Sequence, residues 1–297
     1  MTNNSTLPLR SAARARSATA DTQRVALLLV APALLLMGML YIYPLGGVLW
    51  TSFTEPQFGV GNYTEIAGSA SVRRIAFTTL RICVITTAIA VFLGYVVAYA
   101  MATGSERKRR LVLMLVVAPL WVSALVRAFA WVVLLRQEGL VNNLLRQTHL
   151  IDAPLQLVWN EVGVVIGMVH YMLPYAILPL YTNMRDLDAR LPLAARGLGA
   201  TRLQAFRMVF LPLTVPGIAG ASALVFVYSL GFFVIPAILG GGKTLMAAEY
   251  IRLQITELLQ WGPATALAVV AVVAVLGLLA IVVRAVGTRR IFGGQDE

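Results

Sequence analysis

Leu193–Pro212, LAARGLGATRLQAFRMVFLP, is a polar, arginine-bearing island between two long apolar runs. Ala194, Ala195 and Leu198 suit a short helix. Gly199 is its natural stop, because glycine takes the left-handed backbone of a helix end at little cost. Thr201 followed three residues later by Gln204 has the form of a capping box, so a second short helix restarts there. Pro212 stands where a following helix would begin, its missing N–H costing nothing in a first turn. Helix, break and helix between two apolar spans describe a compact cytoplasmic elbow that another protein can grip.

The apolar flanks set the class. Hydrophobic residues make up 59% of the 297 and charged residues 12%, about half the charge of a soluble domain. Several runs reach the ~20 residues that cross a bilayer. The chain therefore reads as an all-α integral membrane protein. The net charge of +11 lies in short loops between spans, so a positive-inside bias explains it better than nucleic-acid binding, which is excluded on that ground. Cys83 is the single cysteine. It lies inside a span and reads as a packed core residue.

Outward from the elbow, six spans are expected: Val25–Trp50, Arg73–Met101, Leu111–Leu135, Val162–Asn183, Leu213–Leu239 and Pro263–Val283. Pro32 and Pro44 should bend the first, and Pro174 and Pro179 should kink the fourth. Residues 1–24 read as a disordered cytoplasmic tail, 25–290 as the transmembrane domain with the elbow loop at 184–212, and 291–297 as a C-terminal tail. The intervening external segments are 51–72, 136–158 (with a short interfacial helix) and 240–262. Together with the outer end of the second span they carry Arg73, Arg74, Arg136, Arg146, Lys243 and Arg252, while Arg81 and Arg127 lie deeper within spans. The other sixteen of the 24 basic residues fall in cytoplasmic segments, which places both termini inside.

Few motifs carry chemistry. Gly240–Thr244, GGGKT, lacks the glycine that a phosphate-binding loop needs at position 237, which is Ala. It reads as a plain turn or as a flexible loop beside a permeation path. Arg127 is mid-span. Ionisable groups there face protein or a water-filled cavity, or else snorkel outward; a direct ligand role would favour an anionic or zwitterionic substrate. His170 reads as a satisfied interior histidine. Gly163 and Gly167 form a GxxxG pair suited to close helix approach. Pro216, Gly217, Gly220, Gly231 and Pro236 make the fifth span breakable, and broken helices at membrane depth often line a pathway. There is no catalytic constellation and no metal-ligand cluster, and no carboxylate is placed inside a span. A proton-coupled carrier would bury one, so energy for transport should enter elsewhere, with the elbow as the port.

The spacing of Ala194, Ala195, Gly199, Val209, Leu211 and Pro212 resembles the EAA loop of binding-protein-dependent ABC importer permeases. That pattern is Glu-Ala-Ala, three residues, Gly, nine residues, Ile, one residue, Leu-Pro; Leu193 replaces the usual glutamate. The run Ser229–Ile255, SLGFFVIPAILGGGKTLMAAEYIRLQI, is similar to the first permease subunit of spermidine/putrescine importers. The resemblance implies a type I importer architecture in the bacterial cytoplasmic membrane and a chain that is not itself an enzyme. It also implies a second permease subunit, favoured as a different chain, two ATPase subunits that use ATP and Mg, and an external solute-binding protein. No cofactor is expected on this chain. The first elbow helix would dock in the ATPase, with Leu193, Ala194, Ala195, Arg196, Leu198, Gly199, Ala200, Phe206, Leu211 and Pro212 as the coupling set. Leu198 and Phe206 would be apolar anchors, and Arg196, Arg202 and Arg207 would pair with acidic groups.

Arg127, Tyr228, Phe232 and Phe233 are the candidate pathway residues. The aromatics could hold an ammonium by cation–π attraction or pack against the partner permease. The expected cargo is polyamine-like. An opine, an amino-acid derivative, a phosphonate or ferric ion on the same architecture stays open, as does an ATP-independent carrier or channel.

Overall fold

The computed structural model describes residues 29–188 and 190–286. The expected tails, 1–24 and 291–297, lie outside them. Among the described residues every regular element is helical.

Helix α1 (Leu29–Thr54) is apolar on all sides and contains a π-turn at Gly38–Ile42. Only its second half packs in this chain, against the last helix. Helix α2 (Gly61–Gly68) turns the chain back. Asn62 Nδ2 ties it down by donating to the carbonyls of Ser52 at 2.9 Å and Glu55 at 2.7 Å. Helix α3 (Ala70–Thr103) runs 34 residues from a Ser69 cap.

The third expected span, Leu111–Leu135, is broken. Helix α4 (Glu106–Val117) tightens into a 3₁₀ turn at Ala118–Trp121, and the segment Ala124–Gln147, which opens with α5 (Ala124–Leu135), leaves at 102° to it. Pro119 has no N–H to continue the ladder. Val122 is extended, and the Ser123 hydroxyl caps the new helix by accepting from Leu125 N at 3.3 Å. Helix α6 (Leu140–Gln147) is the short helix expected between the third and fourth spans. Helix α7 (Glu161–Arg185) starts at an Asn160 cap and stays one element through Pro174 and Pro179.

The elbow helix α8 (Arg190–Gly197) leads into α9 (Arg202–Leu230). This corrects a second expectation: the restart at Thr201 is no separate short helix but the first turns of the fifth span. The π-turn Phe206–Phe210 carries the rod past Pro212, whose missing donor falls where the ladder has already widened. The fifth span then ends early. Gly231–Phe233 break it, and α10 (Val234–Leu239) is a short continuation. The GGGKT segment is a turn, with Gly241 at φ 56° and Gly242 at φ 73°. Helix α11 (Ala247–Thr256) lies in what was expected to be loop, and α12 (Trp261–Val286) closes the fold.

Among the described residues five helices are long and apolar enough to cross a membrane, six if the bent pair that begins with α4 and α5 counts as one span. Helix α7 is the centre. It packs on α3 and α9, and α5 and α10 close its far end. Ile82, Cys83, Met168, Met172, Leu180, Val225, Ile235 and Leu239 form the buried core. At Gly167 a Cβ would fall 2.5 Å from Leu239 Cδ1 and 2.8 Å from Ile235 Cγ2, so any side chain there would force these two residues of α10 to shift. Arg81 is paired with Glu161 across α3 and α7 rather than snorkelling alone.

Candidate functional site

Two regions gather the sequence-predicted residues. The first is the elbow. Helix α8 ends in a glycine cap: Leu198 N donates to Ala194 O at 3.1 Å, Gly199 N to Arg196 O at 3.0 Å and Ala200 N to Ala195 O at 3.1 Å. These bonds satisfy the orphan carbonyls, and Gly199 sits at φ +95° to make them. The capping box is complete, Thr201 N donating to Gln204 Oε1 at 2.8 Å and Gln204 N to Thr201 Oγ1 at 3.3 Å.

This backbone leaves Leu198 91% exposed, beside exposed Leu193 and Leu203 and the exposed Arg196, Arg202 and Arg207. Ala194 is exposed, Ala195, Ala200 and Leu211 are half-buried, and Pro212 is exposed. Phe206 does not join that surface. Its ring lies edge-on to Tyr99 at 5.4 Å and Tyr95 at 6.4 Å and stacks on Phe210 at 5.9 Å. Tyr95 Oη and Thr214 Oγ1 are 3.0 Å apart, which locks α9 to α3 just beyond it. Phe206 is therefore a tether of the elbow to the bundle.

The second region lies where the two broken spans meet α7. Arg127, one turn beyond the α4–α5 break, is 7% exposed. Its guanidinium carbon lies 4.1 Å above the Tyr171 ring, and its Nε and Nη1 are buried with no partner among the described residues. Phe232, inside the α9–α10 break, packs on Tyr171 at 4.3 Å. Tyr171 stacks on Tyr175 at 6.1 Å, and Tyr175 on Tyr228 at 4.8 Å. Three sequence candidates, Arg127, Tyr228 and Phe232, thus share one cluster. Phe233 stays at its margin, 40% exposed. His170 is satisfied, accepting at Nδ1 from Trp131 Nε1 at 3.1 Å.

The sequence reading missed Tyr171 and Tyr175. Their spacing of four puts them on one face of a helix, which was the available signal. It also left Glu249 as an external carboxylate, whereas α11 buries it to 4% exposure with Oε2 unpartnered. Burial raises its pKa above the ordinary 4.5, against the opposing pull of Arg252 and a hydrogen bond at Met246.

The chain thus combines helices long and apolar enough to cross a membrane, two breaks that meet at a buried aromatic and cationic cluster, and an exposed elbow. The chain belongs to the family described as binding-protein-dependent transport system inner membrane component, which matches residues 90–293. It is 32% identical over 231 residues to the spermidine/putrescine transport system permease protein PotB of Escherichia coli, covering 78% of this chain and 83% of that protein. Against the PotB of Haemophilus influenzae it is 36% identical over 193 residues, covering 65% and 67%. The fold matches that of a bacterial alginate ABC transporter chain at a TM-score of 0.72 and 17% identity, covering 91% of this chain and 97% of that one. The protein is thus a permease subunit of an ABC importer of the inner membrane.

Proposed function

We propose that this chain forms one half of the pathway of a polyamine importer. The observation that carries the reading is its 32% identity to a spermidine/putrescine permease across 83% of that protein's length. The aromatic cluster supports it, since the faces of Tyr175, Tyr228 and Phe232 suit passing ammonium groups. In this reading six spans form a type I importer subunit with both termini in the cytoplasm. A second permease subunit completes the pathway and a solute-binding protein delivers cargo from outside. Two ATPase subunits below hold ATP and its Mg²⁺.

Helix α8 docks in a groove of an ATPase subunit through Leu198, with Leu193 making an apolar contact where relatives of the motif carry glutamate. Arg196, Arg202 and Arg207 face acidic groups on that partner. Because Phe206 ties the elbow to α3, motion of the docked helix moves α3 and α9 together, and that shift opens the pathway alternately to either side. The buried cation Arg127 favours a second reading, in which the cargo bears a carboxylate as an amino-acid derivative does.

The test is ATPase activity of the assembled transporter in lipid, with binding protein loaded with putrescine or spermidine. Stimulation is expected from the loaded protein and should vanish in Gly199→Asp, whose side chain the φ of +95° strains by about 1–2 kcal/mol. Stimulation by a different solute alone would discard the polyamine cargo and keep the architecture.

A further inference from the structure

Arg127 is a buried cation with no anion beside it among the described residues. Its guanidinium is buried, and stacking on Tyr171 satisfies only its face. Nε and Nη1 have no acceptor, and among the described residues no carboxylate lies within ion-pair distance of it. Glu161, the acid that begins α7, is committed to Arg81. A buried charge left unpaired in an apolar layer is strongly unfavourable.

Arg127 sits eight residues before the end of α5 at Leu135, about 12 Å along a helix. The cluster opens beside Tyr228 and Phe233, which are 44% and 40% exposed. A polyamine passing here would meet an uncompensated like charge at short range in a low dielectric.

We propose that Arg127 is completed by a carboxylate of the second permease subunit, an Asp or Glu presented across the shared pathway. The pair would be buried on assembly, with the carboxylate accepting from Nη2, since Nε and Nη1 are already enclosed within this chain. It would neutralise the pathway at the level of the two helix breaks, so that the aromatic faces rather than a net positive charge meet the cargo. The inference rests on the two-permease importer reading, but not on which solute is carried.

The first test is the structure of the assembled, cargo-free transporter. A carboxylate oxygen of the second permease is expected within ~3 Å of the Arg127 guanidinium. Arg127 without a carboxylate there overturns the proposal, and so does a carboxylate that arrives only as part of the cargo. The second test is genetic, in cells that make all the transporter's subunits. Wild-type uptake of labelled putrescine is measured first. Its failure discards the polyamine reading alone, and whichever solute stimulates the ATPase then replaces putrescine.

Arg127→Gln should lower uptake at least roughly tenfold, because it strands the partner's acid. Arg127→Glu should abolish uptake. Selection from Arg127→Glu should return suppressors in the second permease that exchange an acidic residue within a span for Gln, Lys or Arg. Suppression also shows that Arg127→Glu still folds. Normal uptake by Arg127→Gln, or suppressors confined to this chain, would overturn the pairing.

Discussion

The elbow and the aromatic cluster are built on opposite plans. The elbow is local. Its shape comes from Gly199, Thr201 and Gln204 within a few residues, through backbone and cap hydrogen bonds, and its working face is left bare. The cluster is non-local. Arg127, Tyr171, Tyr175, Tyr228 and Phe232 come from α5, α7, α9 and the break after it, and they meet only after the bundle packs. A local device can be exposed and still be rigid. A non-local one must be buried to exist, and it inherits every change in helix packing. Substitutions at the elbow should therefore separate function from folding, whereas those at the cluster should couple the two.

The largest effect on function alone is expected at Leu198. At 91% exposure it contributes almost nothing to this chain's stability, yet it is the most exposed apolar group of the elbow, one residue past the end of α8. If a partner groove buries it, roughly 1.5–3 kcal/mol of association depends on it. Leu198→Asp should therefore weaken ATPase association by roughly 10- to 100-fold or more, with the amount of protein in the membrane unchanged. Co-purification of the ATPase subunits reads this directly. Normal association would remove α8 as the docking helix and erase the contrast between the two regions.

Next is Tyr171, which touches Arg127, Tyr175 and Phe232 at once. Tyr171→Ala removes the ring beneath a buried cation and leaves a cavity between α5, α7 and the α9–α10 break. A cost of about 3–5 kcal/mol is usual for such truncations, so uptake and thermal stability should fall together. Tyr171→Phe keeps the ring face and should retain most of both. A Tyr171→Ala protein of unchanged stability but lost uptake would make the cluster a recognition surface only.

Phe206 lies between the two plans, and its effect should be smaller. Phe206→Ala removes contacts to Tyr95, Tyr99 and Phe210, worth about 0.5–1.5 kcal/mol for each pair. The elbow should still bind the ATPase, because Leu198 remains. Hydrolysis should lose its dependence on loaded binding protein, since the docked helix is no longer tied to α3. Basal and stimulated ATPase rates, compared in one preparation, decide this.

What was legible follows the same division. Capping signals are short-range, so Gly199, Thr201 and Gln204 could be read residue by residue. Apolar length gave the spans, though not their breaks. Pro119 and Ser123 hold the signal for the first break, but the apolar run continues through them and hides it. The second break, at Gly231–Phe233, was hinted at by glycine and proline density but not located. Phe206 was legible as an apolar group near the elbow, while its direction, towards α3, depends on the π-turn it begins. The burial of Glu249 was invisible, because nothing in a polar segment between spans announces that a helix will fold back onto the bundle.

Glu249 gives the smallest prediction and the sharpest check on that last point. Burial holds its pKa above the ordinary 4.5, so the folded protein keeps this proton to higher pH than the unfolded chain does. Between those two values the native state binds more protons, and stability must fall as pH rises. This is the reverse of the usual salt-bridged carboxylate, whose stabilisation is lost on acidification. Glu249→Gln mimics the protonated form and should flatten the decline above pH 4.5 in thermal unfolding of the solubilised protein, with little effect at or below it. If the slope is unchanged, the carboxylate reaches water in solution, and α11 belongs with the exposed, locally built elements rather than with the packed ones.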